Sequence, residues 1–197
     1  MAAGMKPREL KRLEKELADI AGAGGGVTAE LADGDLTHWK GYMEGPDATP
    51  YAGGHFVIDI VIPSEYPYSP PKMKFDSKIW HPNISSQTGA ICLDILGKEW
   101  SPALTIRTAL LSIQALLSAP EPSDPQDAEV AEMYKTNREL FNQTAKHWTD
   151  SFARAPTDND SKVKNLMEMG FPEDKVRAAL VKANWDETTA VNALFEG

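Results

Sequence analysis

The sequence predicts an α+β protein: an antiparallel meander sheet packed with helices, followed by a small all-α bundle of three helices. Three observations carry this. Stretches rich in β-branched and aromatic residues follow one another through short, turn-rich connections, which suits a meander rather than parallel crossovers. Helical patterns lie before and after them. A polar, proline-containing stretch then sets off residues 160–197, too few for a large core but patterned as three short helices.

The first helix is predicted over Pro7 to Ala21. Leu10, Leu13, Leu17 and Ile20 share one stripe. Pro7 suits a first turn, and the glycine-rich run from Gly22 to Gly26 ends the helix. Arg8, Lys11, Arg12 and Lys15 lie largely off the stripe. They form either a solvated face or, on a chain with 29 acidic against 20 basic residues, a docking surface for an acidic partner. Strands follow at Asp35 to Met43 and His55 to Pro63, separated by the turn-rich "EGPDATPYAGG". "KMKF" alternates, with Met73 and Phe75 on one face and Lys72 and Lys74 on the other.

From Trp80 to Pro102 no period is visible, and long unpatterned segments inside compact domains tend to carry function. Ile106 to Leu117 is helical, with Thr105 as N-cap and Ile106, Ala109, Leu110, Ile113, Leu116 and Leu117 apolar, which makes it a central core helix. "APEPSDPQD" breaks it with three prolines. Two helices follow, Asp127 to Thr136 and Arg138 to Phe152. In the second, Phe141, Ala145, Trp148 and Phe152 share a face. The expected boundaries are 4–153 for the first domain, 154–159 for a linker and 160–197 for the second. The small domain's apolar positions are Val163, Leu166 and Met167, then Val176, Ala179 and Leu180, then Ala190, Val191 and Leu194.

A net charge of −9 argues against bulk nucleic-acid binding through phosphate neutralisation. A single cysteine excludes an internal disulfide and a multi-cysteine zinc site. His38, His55, His81 and His147 show no paired ligand spacing, so no metal is expected. The first residues are charged at once, without a signal-peptide apolar region, and the most apolar run, Thr108 to Ala119, is too short to cross a bilayer. No nucleotide-binding glycine motif and no serine elbow is present. The expectation is a reducing compartment, cytoplasmic and nuclear, without membrane or nucleic-acid partners.

Cys92 lies in the apolar stretch "GAICLDIL". Such neighbours raise a thiol pKa and quiet it, and no histidine is adjacent in sequence. On residues alone two readings stand: packing, or an acyl-accepting thiol. Exchange between thioesters is nearly thermoneutral and needs positioning more than strong base activation.

The segment "HPNISSQTGAICLDIL" followed by "EWSP" resembles the active-site region of ubiquitin-conjugating enzymes. So do its flanks, "GPDATPYAGGHF" and "PSEYPYSPPKMKF" before it and "PEPSDPQD" after it, and the resemblance covers about Lys6 to Phe152. From "MGF" to "ALFE" the tail resembles a ubiquitin-associated domain. The resemblance implies four antiparallel strands packed with about four helices. Cys92 would form a thioester with the C-terminal glycine of ubiquitin. Asn83 would donate to the developing oxyanion, brace the nearby loop, or do both. His81 and Pro82 would shape that turn. Asp124 would orient or desolvate the incoming lysine, with Asp94 and Ser123 on the same rim. Since a free lysine has a pKa of about 10.4 and only the neutral amine attacks, a lone carboxylate acting as counter-charge would hinder. Asp124 must position the amine or take its proton late.

The resemblance also places the activating enzyme on Lys11, Arg12 and Lys15, and ligases on that helix with Pro67, Tyr68, Ser101, Pro102 and Ala103. Met169, Gly170, Phe171 and Leu194 would bind ubiquitin through the tail. No cofactor is expected on the chain itself, since ATP is used upstream by the activating enzyme. The function implied is transfer of activated ubiquitin to lysines of substrates or of ubiquitin, building polyubiquitin for degradation. A non-catalytic ubiquitin or ligase adaptor, and conjugation of another ubiquitin-like modifier, are the competing readings. The chain departs from the common family pattern twice: one extra residue stands between Asn83 and Cys92, and Phe195 stands where a second leucine is frequent.

Overall fold

The computed structural model describes residues 5–155 and 157–196. The chain divides into two compact units, residues 1–154 and 155–197. In the first, helix α1 (Pro7–Gly22) precedes strands β1 (Val27–Ala32), β2 (Asp35–Glu44), β3 (His55–Val61) and β4 (Lys72–Phe75). The strands form one sheet in chain order, every pair antiparallel. Strand β1 carries no strand signal in the sequence: "VTAELA" is poor in the branched and aromatic residues that favour strands. It is extended because it pairs with β2 from Val27 opposite Met43 to Leu31 opposite Trp39.

Alternation sends Trp39, Met43, Phe56, Ile58, Ile60, Met73 and Phe75 to one buried face. Helix α2 (Ile106–Ser118) packs against this sheet at β1 and β2, with all six of its expected core residues buried. Gly41 allows the close approach, because a Cβ there would come within 2.9 Å of Ile60 Cδ1 and Leu110 Cδ2. The Thr105 side chain caps α2 by accepting from Thr108 N–H.

Asp127 and Asn137 cap helices α3 (Ala128–Thr136) and α4 (Arg138–Phe152). The buried stripe of α4 differs from the sequence expectation: it runs through Phe141, Ala145 and Thr149. Thr149 is tolerated there because its hydroxyl donates to the Ala145 carbonyl at 2.9 Å, which satisfies the one polar atom. Phe152 instead lies 46% exposed, edge-on to Trp148 and beneath the Lys78 ammonium.

A carboxylate sits inside the apolar stripe of α1. Glu16 is buried and accepts from the Tyr66 hydroxyl at 2.8 Å, from Ile106 N–H at 2.9 Å and from Arg12 Nε at 2.7 Å. The same Arg12 donates to the Pro102 and Leu104 carbonyls at 2.8 and 2.7 Å. One buried anion thereby ties α1 to the Tyr66 loop and to the start of α2.

In the second unit, helices α5 (Asp158–Glu168), α6 (Glu173–Lys182) and α7 (Glu187–Glu196) enclose Val163, Leu166, Val176, Leu180 and Ala190. Helix α5 starts inside the stretch read as linker, because Thr157 and Asp160 form a reciprocal capping box. Met167, expected on the apolar face, is turned outward.

Glu16→Ala is expected to lower the unfolding free energy of the first unit by about 3 kcal/mol, since the buried donors of Tyr66, Ile106 and Arg12 lose their acceptor. Urea unfolding followed by tryptophan fluorescence measures this.

Candidate active site

The irregular segment is held by hydrogen bonds rather than by regular structure. His81 is fully buried. Its Nε2 bonds the Leu116 carbonyl at 3.1 Å and its Nδ1 accepts from Asn83 N–H at 3.0 Å. That pairing requires the neutral ring with the proton on Nε2. Burial agrees, pushing the His81 pKa down to about 4.

The Asn83 side chain is almost fully buried and fully used. Its amide donates to the Glu121 carbonyl at 2.7 Å and to the Asp124 carbonyl at 2.9 Å, and its oxygen accepts from Glu121 N–H at 2.8 Å. Both amide hydrogens are therefore spent on the loop that carries Asp124. Of the two roles the sequence leaves open, this arrangement performs the bracing one; oxyanion donation would need one of these bonds released. Pro82 adds to the same clamp, its carbonyl accepting from Gln126 and Asp127 N–H.

Cys92 is set by the backbone. Its N–H donates to the Asn83 carbonyl at 2.9 Å, next to a bridge between Ile84 and Ile91. The extra residue falls outside this register. Ser85 N–H donates to the Ala90 carbonyl and Gly89 N–H to the Ser85 carbonyl, so the added length is confined to a turn over Ser86 to Gly89. Gly89 has φ of +74°, and a Cβ there would lie 2.0 Å from the Phe75 carbonyl oxygen, so only glycine fits. Ser86 fastens the turn through N–H and hydroxyl bonds to Asp127 Oδ2, the carboxylate that also caps α3. The thiol keeps its place while the turn absorbs the insertion.

Around the half-buried thiol lies a cleft of about 700 Å³, lined among others by Asn83, Leu93, Asp94, Lys98, Glu121 and Asp124. Asp124 Oδ2 stands 3.8 Å from Cys92 Sγ. Burial first, then the Asp124 and Asp94 charges, push the thiol pKa up, and the Lys98 charge opposes them. Asp94 opens a short 3₁₀ turn, Asp94–Leu96, and Ser123 donates to the exposed Glu121 carboxylate. The structure thus brings His81, Asn83, Cys92, Asp94, Ser123 and Asp124 into one neighbourhood. Glu121, Lys98 and Asp127 join them without a sequence-level signal, because their roles rest on contacts between distant loops. Among the described residues no group of histidine, cysteine and acidic side chains is placed to hold a metal ion.

The chain that carries this thiol cleft matches known proteins. The family profile described as ubiquitin-conjugating enzyme matches residues 12–149.

The chain belongs to the ubiquitin-conjugating enzyme family.

The profile of the UBA/TS-N domain matches residues 159–194. Ubiquitin-conjugating enzyme E2 27 of Arabidopsis thaliana is 52% identical over 188 residues, which is 94% of this chain and 97% of that protein. Human ubiquitin-conjugating enzyme E2 K is 50% identical over 172 residues, 86% of each chain. The solved E2 domain of a Toxoplasma gondii ubiquitin conjugating enzyme superposes with a TM-score of 0.73 at 67% identity, covering 75% of this chain and all of that one. The chain is therefore an acyltransferase that takes activated ubiquitin as a cysteine thioester and passes it to lysine amines, and it carries a ubiquitin-associated domain.

The surfaces expected to meet other enzymes of this pathway lie apart from the cleft. Lys11 and Lys15 are exposed on α1, whereas Arg12 is engaged with Glu16 and the 102–104 carbonyls. Tyr68 is 77% exposed, with Pro67 buried beneath it and accepting from Trp100 Nε1. Ser101, Pro102 and Ala103 are exposed beside it. In the ubiquitin-associated domain, Gly170, with φ of +94°, turns the chain between α5 and α6. Met169 is exposed, Phe171 and Leu194 are half-buried, and Phe195 is exposed with its ring edge-on to Phe171 at 5.1 Å. The unusual Phe195 thus extends the apolar patch.

Because the folded enzyme keeps His81 neutral while the unfolded chain takes up a proton near pH 6.5, stability is full above that pH and falls as pH drops toward about 4. The unfolding free energy is expected to be about 2 kcal/mol lower at pH 5 than at pH 7.5. His81→Gln should flatten this slope in urea titrations at the two pH values.

Proposed function

We propose that Cys92 is the thiol that carries ubiquitin, that Asp124 positions the acceptor amine, and that Asn83 holds Asp124 in place. The observation that supports this most directly is the 3.8 Å approach of Asp124 Oδ2 to Cys92 Sγ, on a loop that the Asn83 side chain ties to the backbone leading to Cys92. The thiol is poorly ionised at neutral pH, so it is quiet toward chance electrophiles. Charging then depends on docking with the loaded activating enzyme, where proximity replaces nucleophile activation. Once the thioester is made, a lysine approaches as a cation attracted by Asp94, Glu121 and Asp124. It must shed its proton to attack, and the carboxylate of Asp124 is placed to align the amine and receive that proton as the bond forms.

Lys11 and Lys15 supply a cationic face for the activating enzyme, and Tyr68 with Ser101, Pro102 and Ala103 a site for ligases. Arg12 serves both by holding the 102–104 loop against α1. Met169, Phe171, Leu194 and Phe195 offer ubiquitin an apolar surface, which raises the local concentration of acceptor ubiquitin and favours chain building. The products are polyubiquitin chains of the degradative kind, and the setting is the cytoplasm and nucleus.

Incubation with activating enzyme, ATP and ubiquitin is expected to give a thiol-sensitive adduct that Cys92→Ala abolishes; an adduct surviving that change removes Cys92 from the role. Asp124→Ala should charge normally but discharge to free lysine at least ~10-fold more slowly. Equal discharge rates in a single-turnover chase would remove Asp124 from the mechanism.

A further inference from the structure

We propose that a groove beside α4 docks acceptor proteins through an acidic stretch bearing an aromatic side chain, and so selects which lysines reach the thiol cleft. The proposal rests on the reading of Cys92 as the charged thiol. The groove has a volume of about 550 Å³. Leu117, Pro120, Tyr134 and Phe141 give it an apolar lining, with the Tyr134 and Phe141 rings edge-to-face at 4.9 Å. Arg138, Asn142 and Lys146 line it from α4, spaced four residues apart and all exposed. Such positions share one helix face and span about 12 Å, the length of about three or four residues of extended peptide. The Arg138 guanidinium lies over the Tyr134 ring, 3.6 Å from its centroid. Among the described residues it makes no hydrogen bond or ion pair, and neither does the Asn142 amide, while Lys146 pairs with Asp150. No acidic side chain is among the described residues lining the groove, although the whole chain carries a net charge of −9. The loop at Ala48 to Tyr51 completes the lining. It is fixed by the Thr49 hydroxyl, which donates to the Pro46 carbonyl and accepts from Tyr51 N–H. The groove is formed before anything enters it, which lowers the ordering cost of binding.

Groove and thiol cleft share one stretch of chain. Leu117, Ser118 and Pro120 line the groove, and Leu116 and Glu121 line the cleft. Glu121 is in turn tied to the Asn83 side chain. The two sites carry opposite charge. Asp94, Glu121 and Asp124 outnumber Lys98 in the cleft, whereas Arg138 and Lys146 are the charged residues of the groove. An acceptor whose lysine stands near a run of carboxylates matches both sites; one with a basic flank matches the cleft alone. With its face on Tyr134, Arg138 has its N–H edge left for a carboxylate, which it can hold through two parallel bonds. An aromatic side chain between the carboxylates would cover the apolar lining. A single small anion cannot reach both cations across about 12 Å of helix, so an extended segment suits the groove better. Docking there raises the concentration of the attached lysine at the thioester.

Two measurements on the full-length enzyme test this. The first needs no thioester. A fluorescein-labelled peptide with glutamates on both sides of a phenylalanine is titrated with uncharged enzyme, beside the same peptide carrying glutamines. The acidic peptide should bind about tenfold more tightly, and added salt should shrink the difference. Arg138→Glu and Lys146→Gln should each reduce it severalfold. Arg138 is the first residue of α4, where a carboxylate favours the helix, so its reversal does not endanger the fold. The second measurement charges Cys92 and follows a single-turnover chase with both peptides, each extended by a flexible spacer and a lysine. The acidic peptide should discharge the thioester about tenfold faster at low concentration, through half-saturation at a lower concentration rather than a higher maximal rate. Each variant is read by its own ratio of acidic to glutamine peptide, so a general loss of activity cancels. Equal binding of the two peptides, a preference that survives Arg138→Glu, displacement of the acidic peptide by an equal concentration of inorganic phosphate, or tight binding without faster discharge overturns this inference. Each of these leaves the role of Cys92 standing. Failure of Cys92 to charge overturns the reading of the thiol, and with it any choice of acceptor by the groove.

Discussion

The side chain of Asn83 is the constraint on which the catalytic geometry depends. Three hydrogen bonds from one amide join two loops that are distant in sequence, the HPN turn and the 121–124 segment. Neither loop has regular structure of its own to hold it. Within the buried turn, His81 supplies the acceptor for Asn83 N–H, and its own ring is anchored to the last turn of α2 through the Leu116 carbonyl. Position therefore passes from the core helix to a neutral imidazole, then to an amide, and finally to the carboxylate facing the thiol. A buried polar network of this kind is stable only when every member is satisfied, and here each is.

The cleft this network builds is electrostatically biased. Among the described residues lining the cleft, carboxylates outnumber the one lysine, and burial with the Asp124 and Asp94 charges raises the thiol pKa. A protease-like cysteine would be disabled by such surroundings. A ubiquitin-conjugating enzyme is suited to them, because its reactions exchange one acyl bond for another of similar or lower energy and gain most from alignment. The bias lowers nucleophilicity at the thiol and, in the proposed mechanism, attracts cationic amines to the thioester. Lys98 belongs to the same field, and among the described residues its amine has no hydrogen-bond or ion-pair partner.

A second buried network does comparable work at the opposite role, that of recognition. Glu16 and Arg12 lock α1, the Tyr66 loop and the 102–104 carbonyls into one body. The residues proposed to face partner enzymes, Lys11, Lys15, Tyr68 and Ser101 to Ala103, are all carried by these three pieces. The surface is assembled before any partner arrives, which lowers the ordering cost of binding.

Much of this was legible in the amino acids. The periods of α1, α2 and the β2–β4 strands, the cap at Thr105, the break after α2 and the irregular functional segment all follow from local preferences that a short window contains. The role proposed for Cys92 came instead from the family resemblance of its flanking motifs, since on residues alone packing and chemistry both stood. Strand β1 was not legible, since "VTAELA" becomes a strand only by pairing with β2. Nor was the buried stripe of α4, where Thr149 is admitted by a hydrogen bond to the preceding turn. Glu16 left a trace, a carboxylate in an apolar stripe, but its three partners lie on distant segments. The choice of bracing over oxyanion donation for Asn83, the retention of Cys92 in place despite the inserted residue and the exposure of Lys98 on the rim were decided by tertiary structure. Each depends on which backbone carbonyls and amides from remote loops meet at one point, and no local spacing encodes that meeting.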